Sequence, residues 1–185
     1  MNRLIASTIL CFLLLSCNSD DDTNSSFVGQ TYVITSYLLD TTMDFNGDGI
    51  SSNDLLIETP LFTTELQLEV FNSCLDIESL RFEDEGVACP FGGELFLDVE
   101  EDDNGQFIQT VICTVLNCLG FTGYSIYGDT IVFSVDGEII KEGTFLNNTM
   151  TFTFSPNEIN SFEFLQNDGT ILTYNGSVTI IYSLE

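Results

Sequence analysis

Apolar and polar residues alternate along most of the chain with a period of two, which is typical of strands that bury one face. In "TMTFTF", Met150, Phe152 and Phe154 lie on one face and threonines on the other. The segments "TIVFSV", "ELFLDVE" and "TELQLEVF" alternate in the same way. In the last of these we expect Leu66 and Leu68 to point inward.

Tight-turn residues separate these segments. Asp136-Gly137 and Asn147-Asn148 can adopt the positive φ angles of two-residue hairpin turns. We predict an all-β domain of roughly nine or ten strands, with one short helical turn near residues 52–58. The predicted architecture is an antiparallel up-and-down meander closed as a barrel, with a β-sandwich as the alternative. The final strand should pair with an early one, because closure removes exposed edges.

The first residues are predicted to be a targeting signal and not part of the fold. "MNRLIASTILCFLLLSC" has an apolar run too short to span a bilayer comfortably, so residues 1–16 are predicted to be a signal peptide. Its end, "LLSC", resembles the lipobox of bacterial lipoproteins, which implies cleavage before Cys17 and acylation of that cysteine. An ordinary secretory signal is the alternative. We expect Cys17 to anchor the protein to a lipid bilayer.

Residues 17–26 are polar and acidic, and we predict a lipidated tether that leads to one domain at 27–185. The acidic cluster "SDDD" resembles the surface-export signal of Bacteroidota lipoproteins. The resemblance implies an outer-membrane lipoprotein displayed on the cell surface, with a periplasm-facing lipoprotein as the alternative.

Composition excludes several kinds of chemistry. The chain has 29 acidic residues and three basic ones, so we exclude nucleic acid as a partner because its phosphates would be repelled. Histidine is absent, which removes Ser-His-Asp and Cys-His nucleophiles and histidine-based zinc sites. A hydrolase that uses two carboxylates remains the least favoured functional class.

Four cysteines follow Cys17, which suggests two disulfides in an exported domain. Three connectivities are possible. We favour Cys74–Cys89 and Cys113–Cys118, because each closes a local loop. Metal binding by the thiols is the alternative, although no C-x-x-C pair is present.

The segment "DFNGDGISSND" resembles the calcium loops of EF-hand and dockerin proteins, with oxygen-bearing side chains at loop positions 1, 3 and 5 and Gly49 at position 6. Position 12, where a bidentate acid belongs, is Leu55. The expected calcium ligands are Asp44, Asn46, Asp48, the carbonyl of Ile50, and Asp54 or Glu58. A strand precedes the loop, so we expect a static clasp and not a switch. The alternative is an acidic turn that binds nothing.

The opening of the domain, "FVGQTYVITSYLLD", and the hairpins that follow resemble the lipocalin-like lipoproteins of Bacteroidota. Where a lipocalin has Gly-x-Trp, Gly29 is followed by Gln30, Thr31 and Tyr32. The resemblance implies a lipocalin-like barrel that acts as a non-catalytic binding module for a small apolar ligand or a glycan. The alternative is an accessory or structural component of an outer-membrane or cell-surface assembly.

Overall fold

The computed structural model of the protein describes residues 27–60, 62, 64–115 and 120–185. The predicted signal peptide, Cys17 and the tether lie outside these residues, as does Cys118. The described part of the chain contains thirteen strands and one helix, α1 (Glu65–Ile77). The strands are β1 (Thr31–Met43), β2 (Ser52–Asp54), β3 (Leu80–Glu83), β4 (Gly86–Ala88), β5 (Gly93–Glu101), β6 (Phe107–Val115), β7 (Phe121–Tyr127), β8 (Thr130–Val135), β9 (Glu138–Leu146), β10 (Thr149–Phe154), β11 (Phe162–Leu165), β12 (Ile171–Tyr174) and β13 (Val178–Leu184).

Eight strands form a closed antiparallel barrel in the order β1, β3, β4, β7, β8, β9, β10 and β13. The last strand, β13, pairs with both β10 and β1, which closes the barrel. The predicted all-β barrel and the pairing of its final strand with an early one are therefore confirmed. No helix in the described part of the chain is long and apolar enough to cross a bilayer.

Antiparallel neighbours place successive connections at opposite ends of the barrel. The connections at the two ends differ in length. At one end, here called the base, three turns of two residues each join β3 to β4, β7 to β8 and β9 to β10. Asn147 and Asn148 of the last turn have φ angles of 53° and 59°, and Asp136-Gly137 at the opposite end has 53° and 84°. Both predicted hairpin turns are confirmed.

The opposite end of the barrel carries a second layer, here called the cap. It consists of three long connections, residues 44–79, 89–120 and 155–177, which contain β2, α1, the β5–β6 hairpin and the β11–β12 hairpin. Of the alternating segments quoted above, "TMTFTF" and "TIVFSV" form barrel strands β10 and β8, whereas "ELFLDVE" lies in β5 of the cap.

Helix α1 occupies the segment for which the alternating pattern predicted a strand, so that prediction was wrong. The Thr64 side chain caps the helix by accepting a hydrogen bond from the Gln67 backbone N–H, 3.3 Å away. The buried face is formed by Phe71 and Cys74, three residues apart, as in a helix. Leu66, expected inside, is 67% exposed.

The disulfide that the structure describes between two named cysteines joins Cys74 of α1 to Cys113 of β6. Both predicted pairs, Cys74–Cys89 and Cys113–Cys118, were therefore wrong. The physical reason is packing: α1 lies against the β5–β6 hairpin and presents its fully buried Cys74 to β6. Proximity along the chain did not decide the pairing. Cys89 is disulfide-bonded as well.

Buried Gln109 connects the two hairpins of the cap. Its Nε2 donates to the carbonyl oxygens of Asp98 and Glu163, each at 2.9 Å. Its Oε1 accepts from the Leu165 backbone N–H at 2.8 Å. Because both ends of this fully buried amide have partners, it holds β11 beside the β5–β6 hairpin without an unsatisfied polar atom.

Aromatic rings fill the barrel from both ends. At the base, Phe27 enters the interior and lies 5.1–6.3 Å, ring centroid to centroid, from four rings: Tyr32, Phe82, Tyr124 and Phe145. At the cap end, Phe91 has a φ of 58° and packs against four others: Phe133, Phe152, Phe154 and Tyr182. The barrel interior is thus a packed core.

Candidate functional site

The predicted calcium loop follows β1 at the cap end, and it brings three carboxylates together. One oxygen from each of Asp44, Asp48 and Glu58 lies within 4.8 Å of the other two. Calcium binds oxygens at about 2.4 Å, so ligands on opposite sides of the ion lie about 4.8 Å apart. The cluster is therefore compact enough to surround one calcium ion.

Side chains of the loop also fold its backbone. The Asp44 carboxylate accepts hydrogen bonds from the N–H groups of Asp48 (3.0 Å) and Gly49 (2.8 Å). Asn46 Oδ1 accepts from Asp48 N–H at 2.9 Å, and Asp48 Oδ1 accepts from Ile50 N–H at 2.8 Å. Carboxylate oxygens have further lone pairs, so these bonds leave capacity for a cation. The predicted ligands Asn46 and Ile50 thus belong to the same loop network as Asp44 and Asp48.

Glu58 is the buried member of the carboxylate cluster. Its Oε1 accepts from the Phe45 backbone N–H at 2.5 Å, and its Oε2 is buried without a hydrogen-bond partner. Burial raises the pKa of Glu58, and the Asp44 carboxylate raises that pKa further, against the lowering effect of the Phe45 hydrogen bond. An unpartnered buried oxygen beside two carboxylates fits a hard divalent cation.

Of the two acids predicted as alternatives for the last ligand, Glu58 lies in the carboxylate cluster and Asp54 does not. Asp54 is outside the cluster, because its Oδ1 accepts from the N–H groups of Tyr37 and Leu56, each at 3.0 Å. The Leu56 bond caps a single turn at 55–58, in which the N–H groups of Ile57 and Glu58 donate to the Asp54 carbonyl oxygen. The short helical turn predicted near 52–58 is thus strand β2 followed by this one turn. Leu55 is fully buried in the core, which explains the missing acid at position 12. The turn folds back and places Glu58 in the cluster instead.

The predicted calcium loop packs on the β11–β12 hairpin. Phe45 is fully buried with its ring 4.7 Å from that of Phe164. Gln166 Nε2 donates to the Phe45 carbonyl oxygen at 3.1 Å, and Asn167 Nδ2 donates to the Gly47 carbonyl oxygen at 2.9 Å. The conformation of the loop is therefore coupled to the position of one cap hairpin.

A cavity of about 330 Å³, here called the cap cavity, lies between the barrel end and the cap. Most of its wall is apolar and comes from six side chains: Phe91, Leu95, Phe154, Ile159, Phe162 and Ile180. Tyr37 of β1 and Glu78 also line it. The sequence analysis did not identify this cavity, because it is assembled from segments far apart in the chain.

Glu78 is the buried acid of the cap cavity. It follows α1 as the C-cap residue and is 4% exposed, and its Oε2 has no hydrogen-bond partner. Burial raises the pKa of Glu78 to about 8. Gly93 makes room for this side chain, since a Cβ there would lie 2.7 Å from Glu78 Cγ.

Two barrel tyrosines face Glu78. Tyr37 comes from β1 and Tyr182 from β13, and the Tyr182 hydroxyl is also buried without a hydrogen-bond partner. Burial, followed by the nearby Glu78, holds the pKa of each tyrosine well above its ordinary value. Glu78, which lines the cavity, and the nearby Tyr182 thus each have a buried polar atom that no described protein group satisfies.

The rim of the cap cavity is polar and paired. Lys141 Nζ lies 2.6 Å from Glu158 Oε1 and 4.0 Å from the centroid of the Phe154 ring. The hydrogen bond from Lys141 lowers the pKa of Glu158 to about 2. On the other side, Asn160 Nδ2 donates to Glu94 Oε1 at 2.6 Å. The rim carboxylates thus have partners, in contrast to the inner Glu78 oxygen.

Comparison with protein-family models, curated proteins and solved structures finds no match for this chain.

Proposed function

We propose that the protein is a non-catalytic binding module whose cap cavity holds a small, mainly apolar ligand. The supporting observation is the cavity of about 330 Å³, with six apolar side chains and a few convergent polar groups. Small-molecule sites have this composition, in which the apolar wall provides affinity and the polar groups fix orientation. The ligand position differs from the one that a lipocalin-like barrel implies, because Phe91 and its neighbours occupy the barrel interior.

The place where the chain enters the barrel is compatible with the proposed surface lipoprotein. Strand β1 begins at the base, where the Glu185 N–H donates to the Thr31 carbonyl oxygen at 3.0 Å. A chain of ten residues, the distance in sequence from Cys17 to Phe27, extends at most roughly 35 Å. With Cys17 acylated, the base would face the membrane and the cap cavity would open away from it.

The role we propose for calcium is structural. An ion held by Asp44, Asp48 and Glu58 would tie the end of β1 to the turn at 55–58. Because Phe45 and Gly47 of the same loop contact the β11–β12 hairpin, the ion would also stabilise the cap above the cavity. It would neutralise part of the acidic cluster and supply no chemistry beyond charge and coordination.

A cavity-filling variant tests the binding module. The neutral fluorescent probe N-phenyl-1-naphthylamine should gain fluorescence on binding the wild-type protein. Ile159→Trp, which puts a large side chain into the cavity wall, should weaken that binding. Ile139→Trp on the outer face of the barrel, where Ile139 is 65% exposed, is the matched control and should leave it unchanged. No gain with the wild type, or equal binding by the Ile159 variant, would contradict the proposal.

Calorimetry and terbium luminescence test the calcium loop. Extracellular sites of this kind bind with dissociation constants on the order of 10⁻⁴–10⁻³ M. Asp48→Asn should abolish binding, while Asp84→Asn, which changes an exposed acid in a base turn, should not. Calcium at ten times its dissociation constant should stabilise the wild type by about 1.4 kcal/mol. Absence of binding at millimolar calcium would remove the structural role.

A further inference from the structure

We propose that the ligand of the cap cavity carries an organic ammonium group, which pairs with Glu78 at the inner end while an apolar body fills the rest. This inference rests on the proposed binding function and adds the chemical class of the ligand. Alkylamines and arylalkylamines of modest size belong to this class.

Two buried polar atoms near the cap cavity favour a ligand that donates hydrogen bonds. Glu78 Oε2 and the Tyr182 hydroxyl are both buried and both lack a hydrogen-bond partner among the described residues. A buried polar group without a partner destabilises the fold, because it has lost its hydrogen bonds to water. Glu78 lines the cap cavity, so a ligand there that donates a hydrogen bond to its carboxylate would remove that penalty. An ammonium group has up to three N–H donors and no acceptor, which suits a carboxylate beside a hydroxyl oxygen.

The second argument comes from charge. Three acids line the cap cavity: Glu78, Glu94 and Glu158. Lys141, the basic residue at the rim, is already paired with Glu158. The whole chain has a formal charge of −26, so its field attracts a cation and repels a carboxylate or phosphate ligand. The polar half of the ligand is therefore expected to be positive.

The third argument comes from the aromatic wall. The rings of Phe91, Phe154 and Phe162 line the cavity that contains Glu78. Aromatic faces attract cations through the ring quadrupole, and Phe154 already accepts such a contact from Lys141 Nζ at 4.0 Å. The same rings pack against the apolar part of an amine. One wall can thus serve both halves of the ligand.

Pairing with an ammonium group should displace a proton. In the unliganded protein Glu78 keeps its proton at pH 7, because burial raises its pKa to about 8. The groups that face it, Tyr37 and Tyr182, stay neutral in this range, and Glu94 and Glu158 lie on the same cavity wall. Binding of a protonated amine favours the carboxylate form of Glu78, so about one proton should be released per amine bound. Below pH 8, the affinity for the amine should therefore increase about tenfold for each unit by which the pH is raised.

The test compares 2-phenylethylamine with its neutral isostere 2-phenylethanol by titration calorimetry at pH 7, in two buffers of different ionisation enthalpy. The wild type should bind the amine at least about tenfold more tightly, as expected for a charge-assisted hydrogen bond. It should release about one proton with the amine and none with the alcohol. Glu78→Gln should still bind the alcohol and should lose both the amine preference and the proton release. Glu83→Gln, which removes an exposed charge near the base, is the matched control and should behave as the wild type.

Two outcomes separate the two proposals. Equal affinity for amine and alcohol, or an amine preference that Glu78→Gln leaves unchanged, would overturn the ammonium inference and leave the binding module intact. Failure of both probes to bind the wild type at millimolar concentration would overturn the binding module as well. A circular dichroism spectrum identical to that of the wild type confirms that the Glu78 variant is folded.

Discussion

Glu78→Gln should stabilise the protein at alkaline pH, although it removes a charged residue type. The buried carboxyl has a pKa of about 8 in the folded protein and 4.5 as its ordinary value. Between these values the folded state holds a proton that the unfolded state releases. The free energy of unfolding therefore falls as pH rises from 4.5 to about 8, and it levels off above that range. Glutamine has nearly the same shape and does not titrate.

The size of the effect follows from the pKa difference. One pKa unit corresponds to about 1.4 kcal/mol, so the full linkage amounts to about 5 kcal/mol. Between pH 5 and pH 8.5 the wild type should lose about 4 kcal/mol relative to Glu78→Gln. Small domains have total stabilities of about 5–15 kcal/mol, so a change of this size is large.

Urea unfolding of both proteins at half-unit pH intervals measures this difference directly. Glu58 also has a raised pKa, but it titrates in both proteins and cancels in the comparison. Glu83→Gln replaces an exposed acid, so its free energy of unfolding should change with pH as that of the wild type does. A constant offset between the wild type and Glu78→Gln across the pH range would refute the buried, protonated state of this carboxyl.

Three other substitutions probe the frame around the site. Tyr174→Phe should lower the free energy of unfolding by about 1–3 kcal/mol, because the hydroxyl lies 3.0 Å from both Asp40 Oδ1 and Asp40 N. An unchanged urea unfolding curve would contradict this. Replacing Cys74 and Cys113 together by serine should lower the free energy of unfolding by about 4 kcal/mol, because their disulfide spans 39 residues. A disulfide-mapping digest that lacks this pair would contradict the assignment. Gly143→Ala should lower the free energy of unfolding by about 1–3 kcal/mol, because a Cβ there would meet the ring of Phe152 in β10. An unchanged melting temperature would refute this close contact.

The barrel could be predicted from the sequence because its signals are local. Strand alternation, two-residue turns such as Asn147-Asn148, and the need to close the sheet all act within short segments or follow from general topology. The pattern failed where two periods fit the same residues. In "TELQLEVFNSCLDI", Leu66 and Leu68 suggest a strand, whereas Phe71 and Cys74 have helical spacing. The cap at Thr64 and the packing against the β5–β6 hairpin favour the helix.

The candidate sites could be predicted only in part, for the same reason. Asp44 and Asp48 were found because a calcium loop has a fixed local spacing, whereas the third acid of the cluster, Glu58, depends on how the turn at 55–58 folds back. The disulfide of Cys74 and the cavity around Glu78 depend on contacts between distant segments. No local pattern encodes such contacts, so sequence reasoning missed them.

The buried polar groups of the described residues are concentrated in the cap and not in the barrel. Six polar or charged residues are buried in the described part of the chain, and all except Thr122 lie in the cap connections: Asp54, Glu58, Glu78, Ser79 and Gln109. Asp54 and Gln109 have hydrogen-bond partners and hold the cap together. Glu58 and Glu78 each have an oxygen without a partner, which lowers the stability of the domain. An apolar residue would be more stable at either position unless a bound cation satisfies the oxygen. The packed barrel therefore supplies the stability that lets the cap keep two carboxyl groups with an unpartnered oxygen, which are the two groups that the proposed metal ion and the proposed ligand would satisfy.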